Sequence, residues 1–415
     1  MHGIKIPGAS LRLDHHNAGM ASAAAPTATP PRPPPSVDGK LPVTILTGFL
    51  GSGKTTLLNY ILKGKHGWKI AVIENEYGDV GIDDELVSRQ FQSTEEIFEM
   101  NNGCICCTVR GDLIRIVGKL IRRKTPLDAI VIETTGLADP GPVAQSFFMD
   151  ETIKAKTRLD GIVTVVDAKH IVQHLDEEKE AGTVNEAIQQ IAFADFILIN
   201  KTDLVSPATV ATVRTRCRAI NRVAEMEDTV RSECDLAKVL GISSFNLDRV
   251  LEIDPEFLMA EEEEAHSHDH GHEHTGDDCT DASHDHAAHA HDDGAAAAAD
   301  GAAAPAPTKK HKHKHDTSVS SVGFILPGEC NMSALNAWMG TLLQDKGADL
   351  YRMKGVLAVQ GMENKYVFHG VHMTFDGSAH EVCWKADEEK VNKLVFIGKD
   401  LDKAKLIADF KEILV

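Results

Sequence analysis

No run of apolar residues in this 415-residue sequence approaches the roughly 18–20 that a membrane-spanning helix needs. Basic residues are in the minority: 43 Lys and Arg stand against 62 Asp and Glu, a formal net charge of −19. That balance repels phosphate backbones and argues against a nucleic-acid partner. Cysteine is sparse. Eight in so long a chain are too few for a disulfide framework, and three of them crowd into four residues, Cys104, Cys106 and Cys107. Such crowding reads as thiol or metal chemistry in a reducing compartment. What is present is ordinary for a soluble globular protein of two or three domains, with 42% hydrophobic residues, except for a surplus of 21 histidines.

Texture divides the chain. Residues 1–40 are rich in Ala and Pro, end in the run Pro30 to Pro35, and read as a disordered tail. They lack the apolar stretch of a secretory signal, so the expected location is cytoplasmic; an organelle such as a plastid is the alternative if this segment is a transit peptide. From Leu41 short β-branched runs alternate with helical stretches: Val43–Leu46, Ile70–Ile73, Ala129–Ile132, Gly161–Val166 and Phe196–Ile199. This is the pattern of an α/β fold, a mostly parallel sheet with helices on both faces, here over 41–255. Residues 256–317 form a linker. Its portion 261–316 holds 12 His and 14 acids against 4 Lys, a net of −10, with almost nothing apolar to bury. Residues 318–415 return to globular texture and predict a small α+β domain. Its expected elements are strand Val319–Leu326, helix Met332–Leu343, strands Val356–Val359, Tyr366–Phe375 and Lys393–Ile397, and helix Leu401–Leu414.

Gly48-Phe-Leu-Gly51-Ser52-Gly53-Lys54-Thr55 fits G-x-x-x-x-G-K-[ST] without a mismatch, between strand Val43–Leu46 and helical Thr56–Leu62. The glycines let backbone N–H groups turn inward around phosphates. Lys54 neutralises the β/γ oxygens and Thr55 offers its hydroxyl to Mg²⁺. Gly48, Gly51, Ser52, Gly53, Lys54, Thr55 and Thr56 are therefore the candidate phosphate-binding residues. Asn200-Lys201-Thr202-Asp203 follows strand Phe196–Ile199. The Asp203 carboxylate can accept from the N1–H and N2–H₂ of guanine, donors that adenine does not present together, so the motif selects GTP. Asn200 and Lys201 complete the base site. Ala129–Ile132 runs into Glu133-Thr-Thr-Gly136. An acid there holds magnesium in P-loop NTPases, and a Glu reaches it most naturally through water. The N–H of Gly136 can meet the γ-phosphate. Glu74-Asn-Glu76-Tyr-Gly78-Asp79 supplies three carboxylates in a switch-like loop. One of them, with Glu76 the candidate, would orient the attacking water or bind a second metal; a solvated acidic loop is the alternative.

Gly103-Cys104-Ile105-Cys106-Cys107 offers three thiolates, soft ligands for Zn²⁺ or Cu⁺. Three sulfurs leave one position open, the shape of a site that releases metal. The alternatives are buried small hydrophobes, or redox chemistry through the C-x-x-C pair Cys104 and Cys107. His266, His268, His270, His272 and His274 alternate in the linker and suit a metal reservoir, or only an incidental binder. His369, His372 and His380 read as structural or partner-facing.

Together the motifs Gly48–Thr55, Glu74–Gly78, Gly103–Cys107, Glu133–Pro140 and Asn200–Asp203 resemble the CobW-type G3E GTPases, also called zinc-regulated GTPase metalloprotein activators. Arg352-Met-Lys-Gly, Val367-Phe-His-Gly-Val-His372 and Lys393-Leu-Val-Phe-Ile-Gly look like that family's C-terminal domain. The resemblance implies a SIMIBI-class GTPase domain, slow intrinsic GTP hydrolysis with Mg²⁺, and metal at the C-x-C-C motif. It also implies transfer of zinc to a client apo-metalloprotein, with methionine aminopeptidase as the client type of eukaryotic members. Their Cys-Pro-Glu-Leu-Val-Pro docking motif does not occur in residues 1–40. The leading expectation is thus a GTP-hydrolysing zinc metallochaperone whose partners are GTP and a client, with no nucleic acid or membrane. The alternatives are a metal-storage protein with a regulatory nucleotide site and a GTPase assisting cobalt insertion into a corrin.

Overall fold

The computed structural model describes residues 39–64, 66–74, 111–177, 179, 185–244, 257–258 and 318–415, with the backbone of 96–99 and 108–110. The first part of the chain runs β1 (Leu41–Thr47), α1 (Lys54–Lys63), β2 (Ile70–Glu74), β3 (Glu96–Glu99), α2 (Thr108–Ile121), β4 (Ala129–Glu133) and α3 (Gly141–Met149). It continues α4 (Glu151–Lys154), β5 (Thr157–Asp167), α5 (Ile171–Leu175), α6 (Glu186–Phe193), β6 (Phe196–Asn200), α7 (Pro207–Ile220) and β7 (Glu225–Asp228). All seven strands join one sheet in the order β3-β2-β4-β1-β5-β6-β7, and every pairing is parallel.

Period-2 alternation divides each inner strand between two cores. Val43 and Ile45 of β1, with Ile197 and Ile199 of β6, face α2, α3, α6 and α7. Leu46, Phe196 and Leu198 face α1 and the segment Cys234–Ile242. The helices begin where short polar side chains satisfy the free N–H groups of the first turn. The Asn185 side chain accepts from Ala187 and Ile188 N–H at the start of α6, and Ser206 accepts from Thr209 N–H before Pro207 opens α7.

The second part runs β8 (Val319–Pro327), α8 (Met332–Lys346), β9 (Leu350–Leu357), β10 (Asn364–Val371), β11 (Thr374–Cys383), β12 (Val391–Lys399) and α9 (Lys403–Lys411). Its five strands form an antiparallel sheet, order β11-β10-β9-β12-β8. Alternation again serves two cores. Phe324, Met353, Phe368, Leu394 and Phe396 pack with α8 and α9, while Val319, Tyr351, Val356, Val367, Val395 and Ile397 join the core of the first part. This sheet therefore lies against α3, α6 and α7, and the molecule is layered helix, sheet, helix, sheet, helix. Among the described residues no helix is long and apolar enough to cross a membrane.

Two expected strands need correction. Of Val356–Val359, only Val356 and Leu357 are strand, the end of a longer one that begins at Leu350; Val359 makes an isolated bridge to Cys330. Tyr366–Phe375 is not one strand but two: the chain reverses at His372, whose φ of 55° is left-handed, and β11 returns along β10. The unbroken apolar alternation hid the turn, because no Gly, Pro, Asn or Asp marks His372-Met373.

Candidate functional site

In a parallel sheet all strand C-termini meet at one edge, and ligands bind there beside the strands at which the order changes direction. The edge of β1, β4, β5 and β6 gathers the predicted residues. The loop between β1 and α1 turns through Gly48, Gly51 and Gly53, with φ of 140°, 71° and 113°. A Cβ on Gly53 would collide with Asn200 Nδ2, so only glycine fits there. Gly53 caps α1 with no side-chain bond, which leaves the first-turn N–H groups pointing at the loop, as an anion site requires. Lys54 is buried, its Nζ donating to Gly48 O at 2.9 Å and Phe49 O at 3.3 Å. Burial pushes its ammonium down, opposed by the Glu133 carboxylate. Ser52 Oγ is fully buried and has no hydrogen-bond partner among the described residues. Thr56 is exposed in the first turn of α1.

Parallel pairing sets Leu46 of β1 opposite Glu133 of β4. Across this edge Thr55 Oγ1 donates to Glu133 Oε1 at 3.1 Å. Hydroxyl and carboxylate oxygens are the hard donors that suit Mg²⁺. Gly136 lies directly on the loop: a Cβ there would sit 2.7 Å from Leu50 N. The turn after Glu133 is held from beneath, with Thr134 N–H donating to Leu46 O and Thr134 Oγ1 to Thr47 Oγ1, both at 2.9 Å.

Asn200 bridges two segments. Its Nδ2 donates to Ser52 O at 2.9 Å, and its Oδ1 accepts from Ser232 N–H at 2.8 Å. Lys201 is left-handed at φ 63°, and its Nζ pairs with Asp167 Oδ2 at 2.7 Å. Asp203 is exposed in the 3₁₀ turn Thr202–Leu204. Burial works against ionisation of Asp167, but hydrogen bonds from His170 and Lys201 outweigh it and hold the carboxyl below its usual range. Sequence reasoning missed Asp167, Ser232 and Gln190, the last an α6 residue whose Nε2 donates to Gly136 O at 3.1 Å. Ser232 Oγ donates to Gly53 O at 3.1 Å, and Ser232 follows Arg231 in a doubly left-handed turn. Asp167 carried a signal, an acid closing the apolar run 161–166; Ser232 and Gln190 carried none.

Glu76, Cys104, Cys106 and Cys107 lie outside the described residues, as do Asp79 and His266, His268, His270, His272 and His274. Among the described residues no group of three His, Cys, Asp or Glu could hold a metal ion. In chain order the cysteine motif falls between β3 and α2.

The second sheet grips this framework through charge. Asp195, just before β6, is buried and accepts from Arg352 Nη2 at 2.7 and 2.9 Å and from Lys354 Nζ at 2.6 Å. Burial alone would raise its carboxyl, but the two cations hold it far below the usual range. This explains the Arg352-Met-Lys354 spacing: period 2 puts both cations on one face of β9. Burial, then the Arg352 charge, pushes the His369 imidazole down to about 3. His372 Nδ1 meets Gly347 O at 3.0 Å, and its ring faces Asp139 and Gly141 in the loop that begins at Gly136.

Residues 42–228 match the nucleotide-binding domain described as CobW/HypB/UreG, and 319–414 match the cobalamin synthesis protein cobW C-terminal domain. Zinc chaperone YjiA of Escherichia coli is 30% identical over 373 residues, covering 89% of this chain and 97% of that protein. Zinc chaperone CobW of Pseudomonas aeruginosa is 32% identical over 388 residues, 88% of this chain and 89% of that one. The match to zinc-regulated GTPase metalloprotein activator 1 of Schizosaccharomyces pombe is 41% identical over 219 residues but spans only about half of either chain, 52% of each. The crystal structure of Zn(II)-bound YjiA GTPase from E. coli superposes with a TM-score of 0.60 and 26% identity, covering 91% of this chain and 99% of that one. With both halves matched and two relatives at 30% and 32% identity covered over most of their length, the chain belongs to the CobW family of P-loop GTPases.

Proposed function

We propose that this protein is a GTP-hydrolysing metallochaperone that carries Zn²⁺ on Cys104, Cys106 and Cys107 and releases it to a client apo-metalloprotein as GTP turns over. The observation that carries the reading is one chain holding both a P-loop with its base motif and a C-x-C-C triad, in a family whose full-length relatives are named zinc chaperones. Three thiolates hold zinc and leave one coordination position for a client's ligand.

In this reading Lys54 leaves Gly48 O and Phe49 O for the β/γ oxygens of GTP, and the loop N–H groups cradle the phosphates. Thr55 and Glu133 are the residues that would hold Mg²⁺, which supplies charge neutralisation across the β- and γ-phosphates. The Gly136 N–H meets the γ-phosphate, Glu76 orients the attacking water, and Asp203 reads guanine with Lys201 held beside it by Asp167. The proposed setting is cytoplasmic, where the thiolates stay reduced.

Nucleotide and zinc must be coupled reciprocally: if GTP raises zinc affinity, zinc raises GTP affinity by the same factor. Competition titration of zinc with and without Mg²⁺–GTPγS measures that factor. The Cys106→Ser, Cys107→Ser double variant should lose tight zinc binding and keep GTP binding. Unchanged zinc affinity of this variant in the GTPγS state would refute the reading. The 12 histidines within 261–316 favour a second reading, metal storage. Deleting that segment would abolish a storage function and leave transfer to a client intact.

A further inference from the structure

The loop that carries Gly136 has few bonds of its own. Between Gly136 and Gly141 two of its carbonyls, those of Gly136 and Ala138, are held from α6 by a residue outside the P-loop and base motifs. Gln190 Nε2 donates to Gly136 O at 3.1 Å and to Ala138 O at 3.2 Å. Gln190 is 1% exposed, so water does not compete for these bonds. Its orientation follows from chemistry. The flipped amide would set its oxygen against two carbonyl oxygens, so the nitrogen must face the loop. The fold leaves Gln190 Oε1 buried with no partner among the described residues in order to do this. A buried polar atom left unpaired needs a reason beyond packing, since an apolar side chain of equal size would avoid it.

The helix beneath Gln190 is braced on both sides. Thr164 Oγ1 of β5 donates to the Gln190 carbonyl at 2.7 Å. Asn185 caps the helix and donates to His174 O at 2.6 Å. This braced helix thus holds the Gly136 carbonyl, on a residue whose Cα lies so close to the P-loop backbone at Leu50 that a Cβ would not fit. An amide donor stabilises a transition state only if it is aimed before the charge develops.

We propose that Gln190 is a positioning residue for GTP hydrolysis, which fixes the Gly136 segment so that its N–H is aimed at the γ-phosphate. The proposal rests on the reading of Gly136 as the γ-phosphate amide. It gives Gln190 a nucleotide-specific signature, because GDP has no γ-phosphate for the loop to meet.

The test uses the full chain with Gln190→Met, which keeps volume and removes the donors, and Gln190→Glu, which keeps shape and offers only acceptors when ionised. Single-turnover hydrolysis should fall about tenfold or more, below the 10²–10³ typical of a donor in direct contact. GTPγS affinity should weaken, and GDP affinity should stay within about twofold. Hydrolysis by Gln190→Glu, relative to wild type, should recover as pH falls, since a protonated carboxyl regains one donor; Gln190→Met should show no recovery. Unchanged hydrolysis, or equal loss of GDP and GTPγS affinity, overturns the proposal, and thermal melting separates the latter from misfolding. Gly136→Ala separates the two levels. If it spares the preference for GTPγS over GDP, the γ-phosphate reading has failed and the proposal falls with it. If it abolishes that preference while both Gln190 variants retain it, only the role of Gln190 is refuted.

Discussion

The two sheets solve different problems with the same alphabet. The parallel sheet is wrapped on both faces, and β6 is buried at all five positions. Its chemistry sits at strand ends, at Glu133, Asp167 and Asn200, where each chain leaves the core and side chains reach a common edge. The antiparallel sheet has an exposed edge strand, β11, and keeps its notable charges within strands, at Arg352 and Lys354. Those charges point into a neighbour and build an attachment. Parallel topology gathers loops for catalysis; an antiparallel sheet with one covered face gathers side chains for docking.

The largest effect that would test this division is at the attachment. Asp195→Ala removes the buried carboxylate that Arg352 and Lys354 share and should destabilise the protein by about 3–5 kcal/mol in urea unfolding. Replacing all three residues by apolar ones of similar volume should restore most of it, which would show the triad to be specific rather than strongly stabilising. Lys54→Ala should do the reverse. GTP hydrolysis should fall by about 10²–10³, followed as phosphate release, with the unfolding midpoint nearly unchanged. A large loss of stability in this variant would break the separation of site and scaffold.

Acid should weaken the attachment in a graded way. His369 has a folded-state value of about 3, against an ordinary value of about 6.5 in the unfolded chain. Between those values the unfolded chain binds a proton that the folded one refuses. Stability is therefore complete above about pH 6.5 and declines as pH falls through that window. The depressed Asp195 carboxyl adds a further loss below about pH 3.9, its unfolded value. Melting temperatures from pH 7.5 to 4.5 should show the first decline, and His369→Gln should flatten it. The smallest effect belongs to the outer layer. Asn331 caps α8 by accepting from Ser333 and Ala334 N–H, and Asn331→Ala should cost about 1 kcal/mol while leaving hydrolysis untouched.

Legibility in the sequence followed burial and local geometry. The inner strands β1, β2, β4, β5 and β6 stand out because strands covered on both faces must be continuously apolar. The edge strands β3 and β7 do not. Glu-Ile-Phe-Glu offers only two apolar residues between acids and Glu-Met-Glu-Asp is mostly acidic, too little for a strand signal, and each is held by pairing along its one neighbour. The P-loop was legible because its glycines and lysine act within eight consecutive residues. Asn200 was legible as part of a base motif, but its span from Ser52 to Ser232 was not, since those partners lie 148 and 32 positions away.

By itself the sequence determined which motifs are available: a P-loop, an Asn-Lys-Thr-Asp motif and a cysteine triad, each encoded within a short stretch of chain. Only the tertiary structure decided which groups meet. Thr55 faces Glu133 because β1 and β4 pair in parallel register. Gln190 reaches Gly136 because α6 packs over β5. Asp195 finds Arg352 and Lys354 because the second sheet presents one face to the first domain. The physical reason is common to all three. Backbone conformation is chosen locally, whereas a contact between distant residues exists only once burial of apolar faces has brought their elements together.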